Sequence, residues 1–243
     1  MLRTCLLLAI AGLFSLASSS ESVRAADDAP LKVLYITGGG YHDYKKLATV
    51  LTEGMAKHGK LEFTVKWDLE TLRDPKLGEG FDCIVYNLCF ADNKDEALIG
   101  NAIRVTKEGK PTLLVHCAMH CFMASDAWTD CCGLRTRRHD AYRAFTTKRA
   151  EPLHPVAAKW PADWSTKGDE LYQNIAFPKE STPILTAYSP ESKKDHVVAW
   201  AHNHGKGKVF ATTLGHDLNT AGQDAYHELL ARGILWTCGK LEK

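Results

Sequence analysis

The residues best suited to chemistry lie in one short stretch, 111–121, where two histidines alternate with two cysteines. Four apolar or β-branched residues, 112–115, precede them and predict a strand buried on both faces, as in a parallel sheet. His116, Cys117 and His120 therefore follow the carboxyl end of a strand, which is where α/β proteins bind their ligands.

Cys117 is one candidate for the reactive group, as a nucleophile. It would stand between a strand and a helix, whose N-terminus would lower the pKa of the thiol and supply an oxyanion hole. A nucleophile elbow requires small residues two positions before and after the nucleophile, however. Val115 and Met119 occupy those positions, so the pattern disfavours a Cys117 nucleophile.

The histidines allow two other kinds of chemistry. His116 and His120 have the i, i+4 spacing of zinc-binding helices, and Glu170, His139 or His216 would supply a third ligand to a divalent metal such as zinc. A Lewis-acid site would result. The alternative is acid–base chemistry by neutral histidines and Glu170, with no metal and no covalent step. We keep both interpretations open.

Two further histidines follow predicted strands. His42 comes after the strand at 31–37 and a run of three glycines, and His216 comes after the strand at 208–213. Because parallel strands end at the same edge of a sheet, both should converge with His116. The irregular middle of the chain, which includes His139 and Glu170, is expected to fold over them as a lid. The predicted catalytic residues are His116, Cys117, His139, Glu170 and His216.

The remaining pattern predicts the scaffold of these residues. Strands at 31–37, 63–67 and 81–86 alternate with helices at 44–58 and 94–108, which is typical of β-α-β units. Residues 122–142 show no regular pattern, and 144–149 and 183–188 resemble strands. A β-hairpin (197–201 and 208–213) and a helix (222–236) close the chain. The prediction is an α/β fold with a mainly parallel sheet and a C-terminal hairpin.

The first 25 residues are expected to be removed. A short basic start, an apolar core at 5–17 and small residues up to Ala25 are typical of a secretory signal peptide. Cleavage near Ala25 would leave 26–243 as one domain, exported to the periplasm or secreted. No later apolar run is long enough to span a bilayer.

Charge and motifs exclude several function classes. Without residues 1–25 the chain has 28 basic and 28 acidic residues and no basic stripe, so nucleic acid is not an expected partner. The three glycines do not form a G-x-G-x-x-G loop, so a dinucleotide is not expected either. A homo-oligomer is compatible with this composition.

Several segments resemble the ThuA-like (trehalose utilisation) family, in the right order along the chain. The resemblance begins with the stretch 34–43, which reads LYITGGGYHD, and with the strand-His-Cys-Ala segment at 114–118. It continues through His154-Pro155, the DELY segment at 169–172 and the GKGKVF to TTLGH segments at 205–216, and it ends with GILW at 233–236.

The resemblance implies both a fold and a substrate class. The family is similar to class I glutamine amidotransferases, with a flavodoxin-like three-layer α/β sandwich, and the position of Cys117 holds the nucleophile in that superfamily. The elbow glycines are missing here, which disfavours amidotransferase activity. The family is linked to disaccharides oxidised at carbon 3, so a keto-sugar is the implied substrate, in a lyase, isomerase or hydrolase reaction.

A ketone at carbon 3 acidifies the proton at carbon 2, so a histidine or glutamate base would suffice for elimination. An ordinary glycosidase needs two carboxylates flanking the bond, and adjacent Asp169 and Glu170 do not meet that need. We therefore favour an exported enzyme acting on 3-keto-glycosides over a non-catalytic sugar-binding or accessory protein, or a Cys117-dependent hydrolase. The predicted substrate-binding residues are Gly39, Gly40, Tyr41, His42, Asp43, Trp128, Asp169 and Tyr172, with stacking on the sugar by Tyr41, Trp128 and Tyr172.

Overall fold

The computed structural model describes residues 29–241. The predicted signal peptide lies outside them, so cleavage near Ala25 and export stay predictions. The strands are β1 Leu31–Gly39, β2 Leu61–Lys66, β3 Cys83–Cys89, β4 Thr112–Val115, β5 Arg135–His139, β6 Thr147–Arg149, β7 Tyr172–Ala176, β8 Thr182–Ser189, β9 Lys194–His204 and β10 Gly207–Thr212. The helices are α1 Tyr44–Ala56, α2 Glu96–Glu108, α3 Asp126–Cys132, α4 Leu218–Ala221 and α5 Asp224–Thr237, with 3-10 turns at Leu69–Arg73, His116–His120 and Pro155–Ala157.

Eight of these strands form one sheet in the order β2-β1-β3-β4-β10-β9-β8-β6. The pairs from β2 to β10 are parallel, and those from β10 to β6 are antiparallel. The α/β fold and the C-terminal hairpin, β9 and β10, are therefore confirmed. Strands β5 and β7 form a separate antiparallel pair.

The sheet is buried on both faces, which explains why its strands do not alternate in polarity. All seven residues of β3 are buried. Val85 points into the layer that holds Leu51 of α1 and Leu230 of α5, whereas Ile84 points into the layer that holds Leu98 of α2. Helices thus cover both sides, as the three-layer prediction required.

The strand order creates a crevice above β1 and β3. The chain leaves β1 for β2 on one side and returns through β3 on the other, so adjacent connections diverge at this point. Ligands of open α/β sheets bind beyond the carboxyl ends of the strands at such a divergence. Strands β4 and β10 follow next in the sheet, so the segments after β1, β4 and β10 all open onto this edge.

The segment at 122–142, predicted to be irregular, contains a helix and a strand. The Ser125 side chain accepts the Trp128 N–H and begins α3, and Gly133 ends the helix in the left-handed conformation. Strand β5 pairs with β7, more than 30 residues later in the chain. Periodicity within 122–142 could not reveal β5, because its partner is distant in sequence.

No helix among residues 29–241 is long and apolar enough to cross a bilayer.

Candidate active site

The loop after β1 delivers His42 to the carboxyl edge of the sheet. Gly39 has φ of 122°, and a Cβ there would lie 2.2 Å from the carbonyl oxygen of Cys89 at the end of β3. The chain passes this close only because the residue is glycine. Asp43 then accepts the Lys46 N–H at 3.2 Å and begins α1, so His42 is held between a tight turn and a capped helix.

His116 occupies the sharp turn that follows β4. Its φ is 49°, a left-handed conformation that is costly for a residue with a side chain. Its Nδ1–H donates to the carbonyl oxygen of Thr213 at 2.7 Å, after β10. This bond orients the ring and directs Nε2 towards the crevice. The side chain is only 2 % exposed.

Asp169 positions the residues after β10. Its fully buried carboxylate accepts the backbone N–H groups of Gly215 at 2.8 Å, His216 at 3.2 Å and Glu170 at 2.8 Å. Burial raises the pKa of this carboxyl group, whereas His116 and the backbone donors act to lower it. One side chain therefore fixes the backbone of both His216 and Glu170.

These elements bring together four imidazoles and one carboxylate. One ring nitrogen of each of His42, His116 and His216 lies within 4.8 Å of the other two. Glu170 Oε2 lies 3.3 Å from His216 Nδ1 and 3.6 Å from His116 Nε2, and Glu170 Oε1 lies 3.4 Å from His139 Nε2. Within residues 29–241, His116 Nε2 and His216 Nδ1 are buried without a hydrogen-bond partner. We call these five residues the histidine–glutamate cluster.

Charge is concentrated in the cluster. Burial acts to lower the pKa of His116, but the carboxylates of Glu170 and Asp169 outweigh it and raise that pKa to about 9. Burial acts to raise the pKa of Glu170, but His116 and His216 hold it well below its usual range. Without a metal, His116 and Glu170 therefore form an imidazolium–carboxylate pair.

A cavity of about 410 Å³ opens above the cluster. It is lined by predicted site residues, namely Tyr41, His42, Cys117, His120, His139, Glu170, Tyr172 and His216. Arg137 and Arg138 of β5 also line it, so cationic donors face a group of histidines and a carboxylate. This combination suits a polar ligand with several oxygen atoms.

The family model for ThuA, described as trehalose utilisation, matches residues 32–237 of the sequence. The chain belongs to the ThuA family. Membership of this family relates the chain to carbohydrate metabolism. The match also confirms the resemblance that the sequence motifs indicated. No curated protein matches the chain.

Solved structures of low identity share the fold of this ThuA chain. A putative ThuA-like protein from Parabacteroides merdae has a TM-score of 0.71 and 19% identity, over 88% of this chain and 92% of its own. One from Bacteroides uniformis has a TM-score of 0.71 and 15% identity, over 86% and 92%. A β-galactosidase from Rahnella sp. R3 has a TM-score of 0.62 and 11% identity, over 88% of this chain but only 32% of its own. At these identities the likeness concerns the fold alone.

Trp128 does not belong to the site of this ThuA chain, contrary to the prediction. It is 1 % exposed and packs edge-on against Tyr86 and Phe122. Its Nε1–H donates to the carbonyl oxygen of Ala118 at 2.9 Å. Trp128 therefore supports the turn after β4 from the core side and presents no face to a sugar.

Two other predicted substrate-binding residues have structural partners instead. Asp169 is fully buried, and its oxygens are occupied by backbone donors, so it positions the site rather than touching a ligand. Asp43 caps α1 and lies 2.9 Å from Lys46 Nζ; it lies outside the main cavity but lines a smaller neighbouring one. Gly39 and Gly40 shape the loop and do not line that cavity. The sequence analysis did not identify Arg137 and Arg138 as site residues. Their position directly before His139 in the sequence was the only indication of such a role.

His120 lies near the histidine–glutamate cluster but does not belong to it. Its ring stacks on Tyr172 with centroids 4.2 Å apart and planes 12° apart. Burial lowers its pKa to about 4, so the ring is neutral. Among the described residues, the histidines with the spacing of metal ligands are His42, His116 and His216. The sequence predicted His120 in place of His42, but that prediction needed an α-helix after β4, and the chain forms a 3-10 turn there.

Gly39 should be the more sensitive of two neighbouring glycines. Gly39→Ala would place a methyl group against the Cys89 carbonyl in an unfavourable backbone conformation. We expect it to lower the free energy of unfolding by at least about 2 kcal/mol. Gly40→Ala is the matched control, since a Cβ at Gly40 meets nothing within 4 Å. Urea unfolding measures both, and equal effects would contradict the packing described here.

Proposed function

We propose that the protein is an enzyme that processes 3-keto-glycosides, and that a divalent metal such as zinc assists it. The observation that carries the proposal is the histidine–glutamate cluster on the floor of the 410 Å³ cavity. Family membership supports a carbohydrate substrate.

The donor atoms of the cluster fit a metal. Zinc binds nitrogen and oxygen at about 2.0 Å, so two ligands of a tetrahedral ion lie about 3.3 Å apart. Glu170 Oε2 and His216 Nδ1 have this separation, 3.3 Å, and one ring nitrogen of each of His42, His116 and His216 lies within 4.8 Å of the other two. The Nδ1–H of His116 donates to a backbone carbonyl, which is the outer-shell bond common in histidines that bind metal through Nε2. His116 Nε2 and His216 Nδ1 are buried, form no hydrogen bond with any described residue and face Glu170 Oε2 at 3.6 and 3.3 Å, which supports the same assignment.

His42, His116 and His216 would hold the metal, with Glu170 beside them. A bound divalent metal supplies Lewis acidity, which polarises a ketone oxygen. The other side chains of the cavity bind and orient the sugar. Tyr41 is 60% exposed at the cavity and offers a ring face for stacking, while Arg137 and Arg138 offer cationic donors to hydroxyl groups and to the developing enolate.

His139 and Glu170 are suited to move the proton. The Nδ1–H of His139 donates to the Asp140 carbonyl at 2.8 Å, which leaves Nε2 as the basic atom, 3.4 Å from Glu170 Oε1. In the proposed elimination, this pair removes the carbon-2 proton and the electrons form an enolate. When the ketone re-forms, a double bond forms between carbons 1 and 2, and the carbon 1–oxygen bond breaks. The departing oxygen then takes up the proton.

Metal analysis combined with a turnover assay tests this proposal. The purified protein is analysed for bound metals and incubated with 3-keto-trehalose, and the products are followed by NMR. Stoichiometric metal, with turnover lost on chelation and restored on reloading, is the expected result. Turnover without metal would leave acid–base catalysis alone. Binding without turnover would favour the non-catalytic sugar-binding protein.

Cys117 is the basis of the competing hydrolase hypothesis. It is 7 % exposed beside Cys89 and Tyr44. A hydrogen bond with Cys89 is the main influence that lowers the pKa of Cys117 to about 4, against the effect of burial and with help from His42. This thiolate character favours the nucleophile. The residue in the left-handed conformation is His116, however, so the strained turn position precedes Cys117.

We expect Cys117→Ala to keep its metal and to turn over the keto-sugar at a rate within about fivefold of the wild type, which is less than the loss expected for a covalent nucleophile. The matched control is Cys131→Ala, which also removes a buried thiol, away from the cavity, and calibrates the cost of packing. A loss of about 10³-fold or more in Cys117→Ala alone would establish the nucleophile and contradict the proposed mechanism.

A further inference from the structure

A second cavity, of about 300 Å³, adjoins the first. His216 lines both cavities, so the two meet at a residue of the histidine–glutamate cluster. The walls of the second cavity come from the start of α1, with its capping residue Asp43, and from the start of α4 with the residues just before it. They include Lys46, Asp217, Leu218 and Asn219. The mechanism proposed above does not use any of these four residues.

Hydrogen bonds hold the wall formed by 217–219 in place. Asp217 accepts the Asn219 N–H at 2.8 Å and begins α4. The Tyr142 hydroxyl donates to Asp217 Oδ2 at 2.7 Å and accepts from Asn219 Nδ2 at 2.8 Å. The ring of Tyr142 rests on His216, with centroids 5.2 Å apart. The wall is therefore ordered before any ligand arrives, which lowers the entropic cost of binding.

The chemistry of the second cavity matches a sugar. Leu218, which lines the cavity, is 44% exposed, so it offers apolar surface to the carbon–hydrogen face of a sugar ring. The Lys46 ammonium group, whose side chain is 69% exposed, and the side chains of Asp217 and Asn219 offer donors and acceptors to hydroxyl groups. Apolar surface with a few polar groups is typical of small-molecule sites.

A disaccharide consists of two rings joined through one oxygen atom, and the two cavities are joined at one histidine. We propose that the second cavity is the subsite for the departing sugar of the 3-keto-glycoside, so that the oxygen of the broken bond lies beside His216. The inference rests on the proposed function and adds a substrate preference. The enzyme should prefer keto-disaccharides to keto-glycosides that carry a small alcohol.

Filling the second cavity tests this assignment. Leu218→Trp is compared with the wild type by kcat/KM for 3-keto-trehalose and for methyl 3-keto-glucoside, and binding of both compounds is measured by calorimetry. We expect the ratio of the two kcat/KM values, disaccharide over methyl glycoside, to fall at least about tenfold, which corresponds to about 1.4 kcal/mol. The matched control is Leu153→Trp, because Leu153 is also 44% exposed and lies outside both cavities.

The outcomes separate the two proposals. A selective loss of disaccharide turnover or affinity in Leu218→Trp supports the subsite. An unchanged ratio, or the same change in Leu153→Trp, overturns the subsite while the proposed function stands. If the wild-type protein neither binds nor turns over either compound, the proposed function fails and the subsite fails with it.

Discussion

Replacing His116 by alanine is expected to remove the bound metal and to lower kcat at least about 10³-fold, or about 4 kcal/mol of transition-state stabilisation. His116 is the most buried of the three histidines in the group with ligand spacing. Its Nε2 is directed into the crevice by the bond from Nδ1–H to Thr213. The left-handed turn after β4 determines the position of this nitrogen.

The measurement is metal content by elemental analysis, together with kcat on the keto-sugar. His204→Asn is the matched control, because His204 is a half-buried histidine at the β9–β10 turn, at the opposite edge of the sheet. A further comparison separates the two candidate ligand sets. His42→Ala should lose the metal, whereas His120→Ala should keep it. The reverse result would restore the sequence-based pair of His116 and His120 and contradict the assignment of His42.

Replacing Asp169 by alanine is expected to lower the free energy of unfolding by about 3 kcal/mol, since hydrogen bonds to a charged group contribute about 1.5–3 kcal/mol each and buried donors without partners are costly. The Asp169 carboxylate serves three backbone donors and has no exposure to solvent. We also expect kcat to fall at least about a hundredfold, because misplacement of a catalytic group by about 1 Å has such an effect. His216 and Glu170 are the groups that would shift.

Urea unfolding and kinetics of the folded fraction measure the two effects separately. Asp82→Ala is the matched control, since the Asp82 carboxylate accepts one backbone N–H, from Lys32 at 2.8 Å, in an exposed setting. Asp82→Ala should lower the free energy of unfolding by less than about 1 kcal/mol. A stable Asp169→Ala protein with full activity would show that the segment after β10 is held by other contacts.

Local patterns in the sequence were enough to predict the elements that carry the site. Buried apolar runs followed by His42, His116 and His216 identified three strand ends, and the parallel arrangement implied that they share one edge. In the order β1-β3-β4-β10 all pairs are parallel; β4 and β10 are neighbours, and β3 separates them from β1, so the three strands end at one edge. The β9–β10 hairpin was predictable for the same reason, since its strands are joined by a short turn and its pairing is local.

Contacts between distant segments decided the rest. Because His116 has a left-handed φ and a 3-10 turn follows it, His42 rather than His120 joins His116 and His216 in the group with metal-ligand spacing. The i, i+4 spacing of His116 and His120 in the sequence indicates neither feature. An aromatic residue near reactive groups can stack on a ligand or fill the core, and only packing against Tyr86 and Phe122 assigns Trp128 to the core.

The sequence by itself therefore determined which residue types follow each strand, because covalent neighbours and side-chain periodicity are local properties. The tertiary structure alone decided which of them meet. Asp169 illustrates the difference: next to Glu170 it reads as a ligand-binding carboxylate, yet the backbone of 215–216 occupies its oxygens. A contact across more than 40 residues depends on how the whole sheet closes, and no local pattern encodes it.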